Sequence, residues 1–174
     1  MQPLPKRGAL ALTAALKEGP RESGRVHARE LGHVVFYVRN LEASLRFYRD
    51  LLGFKQVGEA FGGKAAALTS TSQRTHHEML LIEVGDLPGP PRGPHRGLYH
   101  IGIKVGDSDD DLRAAVKELR AAGVAIDGAS DHTVTHSLYL RDPDGNEVEL
   151  YVDVDDSWKT DPEAVMAPIR PLRL

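Results

Sequence analysis

Residues 32–38 read GHVVFYV and residues 98–105 read LYHIGIKV. Both are rich in β-branched and aromatic residues, the composition of a strand. Each carries a histidine near its start, His33 and His100, and Val38 and Val105 follow at the same distance from each. What comes next also repeats. After the first strand, Asn40 can cap a helix whose apolar positions Leu41, Leu45, Tyr48 and Leu52 share one face, and Gly53 suits its end. Residues 54–60, 64–69 and 77–84 then read as three strands. After the second strand, Ser108 with Asp111 makes a capping-box-like start. Leu112, Val116, Leu119 and Ala122 mark an apolar helix face closed by Gly123, and residues 124–127, 137–141 and 146–152 read as strands. In the turn Asp142-Pro143-Asp144-Gly145, proline sets one φ and glycine supplies a positive one.

The predicted fold class is therefore α+β, with two tandem βαβββ modules over residues 30–85 and 97–152. A linker at 86–96, rich in proline and glycine, separates them. Two copies are too few for a solenoid and fit a pseudo-twofold protein, one incomplete mixed β-barrel with its opening strands side by side. Residues 1–29 read as an N-terminal extension with a short helix over 8–18 and a charged linker over 21–29. Residues 153–174, with Pro162, Pro168 and Pro171, read as a C-terminal tail lying on the surface or on a partner chain. The basic then apolar start is short and runs into Lys17 and Glu18, so it reads as an extension of a cytoplasmic protein.

Of 174 residues, 41% are hydrophobic and 27% charged, which excludes collagen-like, low-complexity and disordered classes. With 22 Lys and Arg against 25 Asp and Glu, the net charge of −3 offers no pull toward nucleic acid or a membrane surface. No apolar run approaches the ~18 residues of a membrane span. There is no cysteine, so disulfides, thiolate nucleophiles, zinc–thiolate sites and iron–sulfur clusters are excluded. Eight histidines leave nitrogen and oxygen ligation as the available metal chemistry.

Side by side, the opening strands set His33 and His100 across the pseudo-twofold axis. Aligning residues 77–84 on 146–153 places Glu149 over Leu80. Glu149 sits between Val148 and Leu150, where an unpaired carboxylate is costly to bury. Two imidazoles and one carboxylate suit a divalent first-row metal that keeps open positions. The barrel is thus expected to surround a metal site of His33, His100 and Glu149.

These modules and these three residues resemble the vicinal oxygen chelate superfamily, which includes glyoxalase I, extradiol ring-cleaving dioxygenases, fosfomycin-resistance transferases and metal-free bleomycin-binding proteins. The run from His132 through Leu138-Tyr139, Asp142-Pro143-Asp144-Gly145 and Glu149 is similar to the signature of the type I extradiol dioxygenases. That resemblance implies an Fe(II) enzyme that opens a catechol-type aromatic with dioxygen; Mn(II) would accept the same ligands. It also implies that Tyr139 and His132 orient substrate and that the second member of a His-His pair, His77, is the catalytic acid–base. Strict alternation from Leu80 puts His77 on the opposite side of its strand, so either an irregular strand start turns it inward or His76 faces the metal. Leu80 cannot supply the fourth ligand that glyoxalase I enzymes use. The alternatives are a glyoxalase-like isomerase or lyase, a fosfomycin-type thiol transferase, and a metal-free drug- or metabolite-binding protein. Relatives commonly dimerise, so a homodimer is expected, with no nucleic-acid or membrane partner.

Overall fold

In strand β1 (Val34–Val38), Phe36 and Val38 are buried while Val35 and Tyr37 stand exposed. That alternation turns one face of the strand toward a core and the other away from it. The computed structural model describes Val26 and residues 28–174; the helix expected over 8–18 lies outside the described residues. Within the unit Gly32–Leu174 the element order is that of two βαβββ modules.

In the first module the Asn40 side chain accepts from the Ala43 N–H at 2.8 Å and starts helix α1 (Leu41–Leu45). The expected single α-helix does not run on. Arg46–Leu51 is a π-helical turn, in which the Leu52 N–H reaches back to the Phe47 carbonyl at 3.0 Å. The wider turn lets the neighbours Phe47 and Tyr48 both bury, their rings meeting edge-on at 4.9 Å. Strands β2 (Lys55–Ala60), β3 (Ala65–Thr69) and β4 (Met79–Glu83) complete a sheet in the order β1-β4-β3-β2.

The second module repeats this plan with β5 (His100–Gly106), α2 (Asp109–Ala121), β6 (Ile126–Asp131), β7 (Thr135–Arg141) and β8 (Glu147–Asp153). Ser108 caps α2 by accepting from the Asp111 N–H. β6 begins later and runs longer than expected, through Gly128-Ala129-Ser130. Pairing with β7 across a bulge at 126–128 overrides the weak strand preference of those residues. A short ninth strand, β9 (Arg170–Pro171), comes from the tail, and the second sheet runs β5-β8-β7-β6-β9.

The strands thus form two sheets, of four and five, and no barrel closes between them. β1 and β5, expected side by side, each lie at the edge of their own sheet. The packing of the helices explains this. Leu41, Leu45, Phe47 and Tyr48 of the first module join Leu112, Val116 and Leu119 of α2 in one core, together with Phe36, Leu81, Leu138 and Leu150 from the inward faces of both sheets. The opposite faces of both sheets therefore point away from that core.

A polar clasp joins the modules. Tyr48 is fully buried and its hydroxyl donates to Asp142 Oδ2 at 2.8 Å. Burial, reinforced by the Asp142 carboxylate, pushes the phenol far above its ordinary range, so it stays a donor. Asp142 also accepts from the Asn146 side chain and from the backbone N–H groups of Asp144 and Asn146, which shapes the expected turn. Asp142→Ala leaves these donors without an acceptor and is expected to cost about 3 kcal/mol, read as a lower denaturant midpoint.

Candidate metal and substrate site

Alternation along β8 buries Val148, Leu150 and Val152 and leaves Glu147, Glu149, Tyr151 and Asp153 on the face away from the core. The register sets Glu149 beside Tyr139 of β7 and beside Gly102 of β5, with His100 at the strand start opposite Glu147. His100 Nε2 lies 3.1 Å from Glu149 Oε2. The Tyr139 hydroxyl donates to Glu149 Oε1 at 3.1 Å, and His132 Nε2 is 2.7 Å from the same hydroxyl. Burial first, then the Glu149 charge, raises the Tyr139 phenol above its ordinary range. Its one proton goes to Glu149, so the phenol oxygen accepts, and His132 must carry its proton on Nε2. His132 is aimed by a tight turn: Thr133 takes a left-handed φ of 74°, and the His132 N–H bonds the Thr135 carbonyl at 2.8 Å.

The His100–Glu149 pair has the spacing of two metal ligands, since donors at ~2.1 Å and right angles from one ion stand ~3.0 Å apart. His100 Nδ1 and Glu147 Oε1 are buried without hydrogen-bond partners and lie 3.7 Å apart. A small rotation brings them into the bond that would fix Nε2 as the lone-pair donor. Among residues of one chain, this half of the site fits a divalent metal.

The remaining predicted residues gather on the first sheet. His33, just before β1, shares the outward face with Val35 and Tyr37. The His77 ring lies 4.5 Å from the His33 ring and the His76 ring 6.0 Å, and the two neighbours share a 2.6 Å hydrogen bond between their Nδ1 atoms. β4 begins only at Met79, so strand alternation does not reach His77, and Thr75 Oγ1 holds the turn by donating to the His77 carbonyl at 2.7 Å. Burial, followed by the His76 and His33 rings, lowers the His77 pKa below its ordinary value and favours the neutral ring. Leu80 pairs with Val35 just as Glu149 pairs with Gly102, so the first module offers a leucine at the equivalent place.

His100, Glu149, Tyr139 and His132 are thus together, and so are His33, His76 and His77. The structure does not bring the two groups into one cluster. Among the described residues, no three His, Asp or Glu side chains are placed to hold one metal ion.

A cavity of about 360 Å³ opens on the Glu149 face, lined by His100, His132, Tyr139, Glu149, Tyr151 and, from the tail, Trp158 and Val165. These last three went unrecognised in the sequence. Tyr151 was findable, two residues beyond Glu149 on the same strand face. Trp158, the chain's single tryptophan, stood in a polar tail without periodicity to place it.

Residues 30–150 match the Glyoxalase/Bleomycin resistance protein/Dioxygenase superfamily. The chain is 36% identical over 137 residues to catechol-2,3-dioxygenase of Bacillus subtilis (strain 168), covering 76% of this chain and 45% of that protein. It is 35% identical over 130 residues to biphenyl-2,3-diol 1,2-dioxygenase 3 of Rhodococcus globerulus, covering 71% and 63%. The chain therefore spans about half to two-thirds of the length of these relatives. A solved glyoxalase/dioxygenase from Nostoc punctiforme shares the fold with a TM-score of 0.64 at 20% identity, over 77% of this chain and 100% of that one. Among the described residues, no helix is long and apolar enough to cross a membrane.

Proposed function

This chain belongs to the glyoxalase/bleomycin resistance protein/dioxygenase superfamily, and we propose that within it the protein is a metal-dependent extradiol dioxygenase that opens a catechol-type aromatic with dioxygen. The observation that carries this reading is the convergence of His100, Glu149, Tyr139 and His132 on one sheet face, with Tyr139 hydrogen-bonded to Glu149 and His132. The relatives named as dioxygenases of catechol and of biphenyl-2,3-diol support it.

His33, His100 and Glu149 would hold the metal, with Fe(II) the assigned ion and Mn(II) accepted by the same donors. When bound, the metal supplies a Lewis-acidic centre with open positions for two vicinal oxygens. Around it the chain's side chains manage protons. His77, as a neutral ring, takes the proton of an incoming diol hydroxyl and holds it for return. Tyr139 presents its hydroxyl at Glu149, and His132 fixes the direction of that hydroxyl. Leu80 speaks against the four-ligand glyoxalase arrangement. Oxygen uptake against a panel of catechols, with metal content measured on the same sample, tests the reading. Bound metal without uptake would give the site to an isomerase, lyase or thiol transferase, and a metal-free protein that retains ligands would be a binding protein.

His33 reaches the other ligands through a second copy of the chain, and the protein is proposed to act as a homodimer. β1 and β5 are both unpaired sheet edges, and an unpaired edge is a template for another strand. Val35 and Tyr37, beside His33, are 45% and 72% exposed. Pairing β1 of one copy with β5 of its partner sets His33 and His77 next to the partner's cluster and, by twofold symmetry, makes two sites. His33→Ala and Glu149→Ala are each expected to be inactive. Co-expressed, they are expected to recover about a quarter of wild-type activity, because half the dimers are mixed and each mixed dimer holds one intact site. No recovery from two folded variants would place the whole site within one chain.

A further inference from the structure

We propose that the C-terminal tail builds the substrate pocket's apolar wall, with Trp158 and Val165 selecting diols that carry an apolar ring substituent. The inference rests on the diol reading above and adds to it the class of substituent.

The cavity has two ends of different chemistry. His100, Glu149 and Tyr139 make the polar end; further along β7 and β8, beside the Thr135–Asp153 pair, Val134, Trp158 and Val165 supply the apolar surface. A ring whose oxygens meet the first end extends its far edge toward the second. The tail is held where it can serve this purpose. The Val154 and Asp155 N–H groups both bond the Val134 carbonyl, at 3.0 and 3.3 Å. β9 pairs with β6, and Leu172 packs on the core. Lys159 lies over the Trp158 ring at 5.6 Å while its ammonium pairs with Asp156 at 2.8 Å, which steadies the indole. Trp158 is nevertheless 38% exposed and Val165 55% exposed, so both hold apolar surface that a ligand can cover. Both residues lie beyond the 30–150 stretch that matches the superfamily.

Trp158 is the only tryptophan, so its fluorescence reports on the wall directly. Anaerobic titration of the metal-loaded protein with catechol and with 3-phenylcatechol, corrected against free tryptophan, is expected to give saturable changes at lower concentration for 3-phenylcatechol. Trp158→Ala is expected to raise KM for 3-phenylcatechol about tenfold more than it raises KM for catechol. Trp158→Phe is expected to restore most of the loss. Met166→Ala, on the same tail but off the cavity, is expected to change neither substrate. Oxygen uptake accompanied by flat fluorescence, or an equal effect of Trp158→Ala on both diols, would overturn the wall and leave the activity standing. Saturable fluorescence without oxygen uptake would support the wall and overturn the dioxygenase reading. The wild-type titration needs no variant, so a poorly folding Trp158→Ala does not blunt the test.

Discussion

Glu149→Ala is expected to strip the protein of metal and to lower ring cleavage by more than about 10⁴. Glu149 meets both His100, a proposed ligand, and the tyrosine of the pocket, through Oε2 at 3.1 Å from His100 and Oε1 at 3.1 Å from Tyr139. Alanine removes a negative ligand and leaves the Tyr139 hydroxyl without its acceptor. Metal analysis after dialysis, paired with oxygen uptake, reads the effect. Tyr139→Phe is the informative contrast, because it deletes the hydrogen bond and keeps the ligand. A Glu149→Ala protein that keeps its metal would remove Glu149 from the ligand set.

His77→Phe is expected to keep the metal and lose about 10²–10⁴ in turnover, the range for one acid–base group. Phenylalanine keeps an aromatic ring beside His33, where the His77 ring lies at 4.5 Å, and removes the proton-carrying nitrogens. The two variants thus fail differently, one by metal content and one by rate, which a shared folding defect would not produce. Full activity in His77→Phe would transfer the role to His76, whose Nδ1 lies 2.6 Å from that of His77.

The modules were legible in the sequence because local signals agreed with one another. Asn40 and Ser108 cap the helices as their types suggest, and the alternation around Glu149 sets its face without any long-range information. The π-turn at Arg46–Leu51 was hidden, because Leu45 and Tyr48 fit an α-helical stripe equally well and only the burial of adjacent Phe47 and Tyr48 distinguishes the two. The partnership between modules was hidden more deeply. The apolar stripes of α1 and α2 say that each helix packs on something. They do not say that Tyr48 reaches Asp142, nor that both helices enter one core while β1 and β5 stay at the edges of separate sheets. The tail escaped for a related reason, since β9 and Leu172 are held by tertiary contacts and not by local pattern.

The outward-facing edges β1 and β5 have a consequence for how such a protein responds to its own abundance. A catalytic centre assembled from two chains exists only in the associated state, so specific activity falls on dilution in a way that a one-chain centre cannot imitate. In the proposed dimer, His33 of one copy and His100 and Glu149 of the other would hold a metal more tightly than separated copies can. Metal supply and self-association would then be thermodynamically linked: raising either one would raise the other, and a chelator would weaken the pair as it silenced the chemistry.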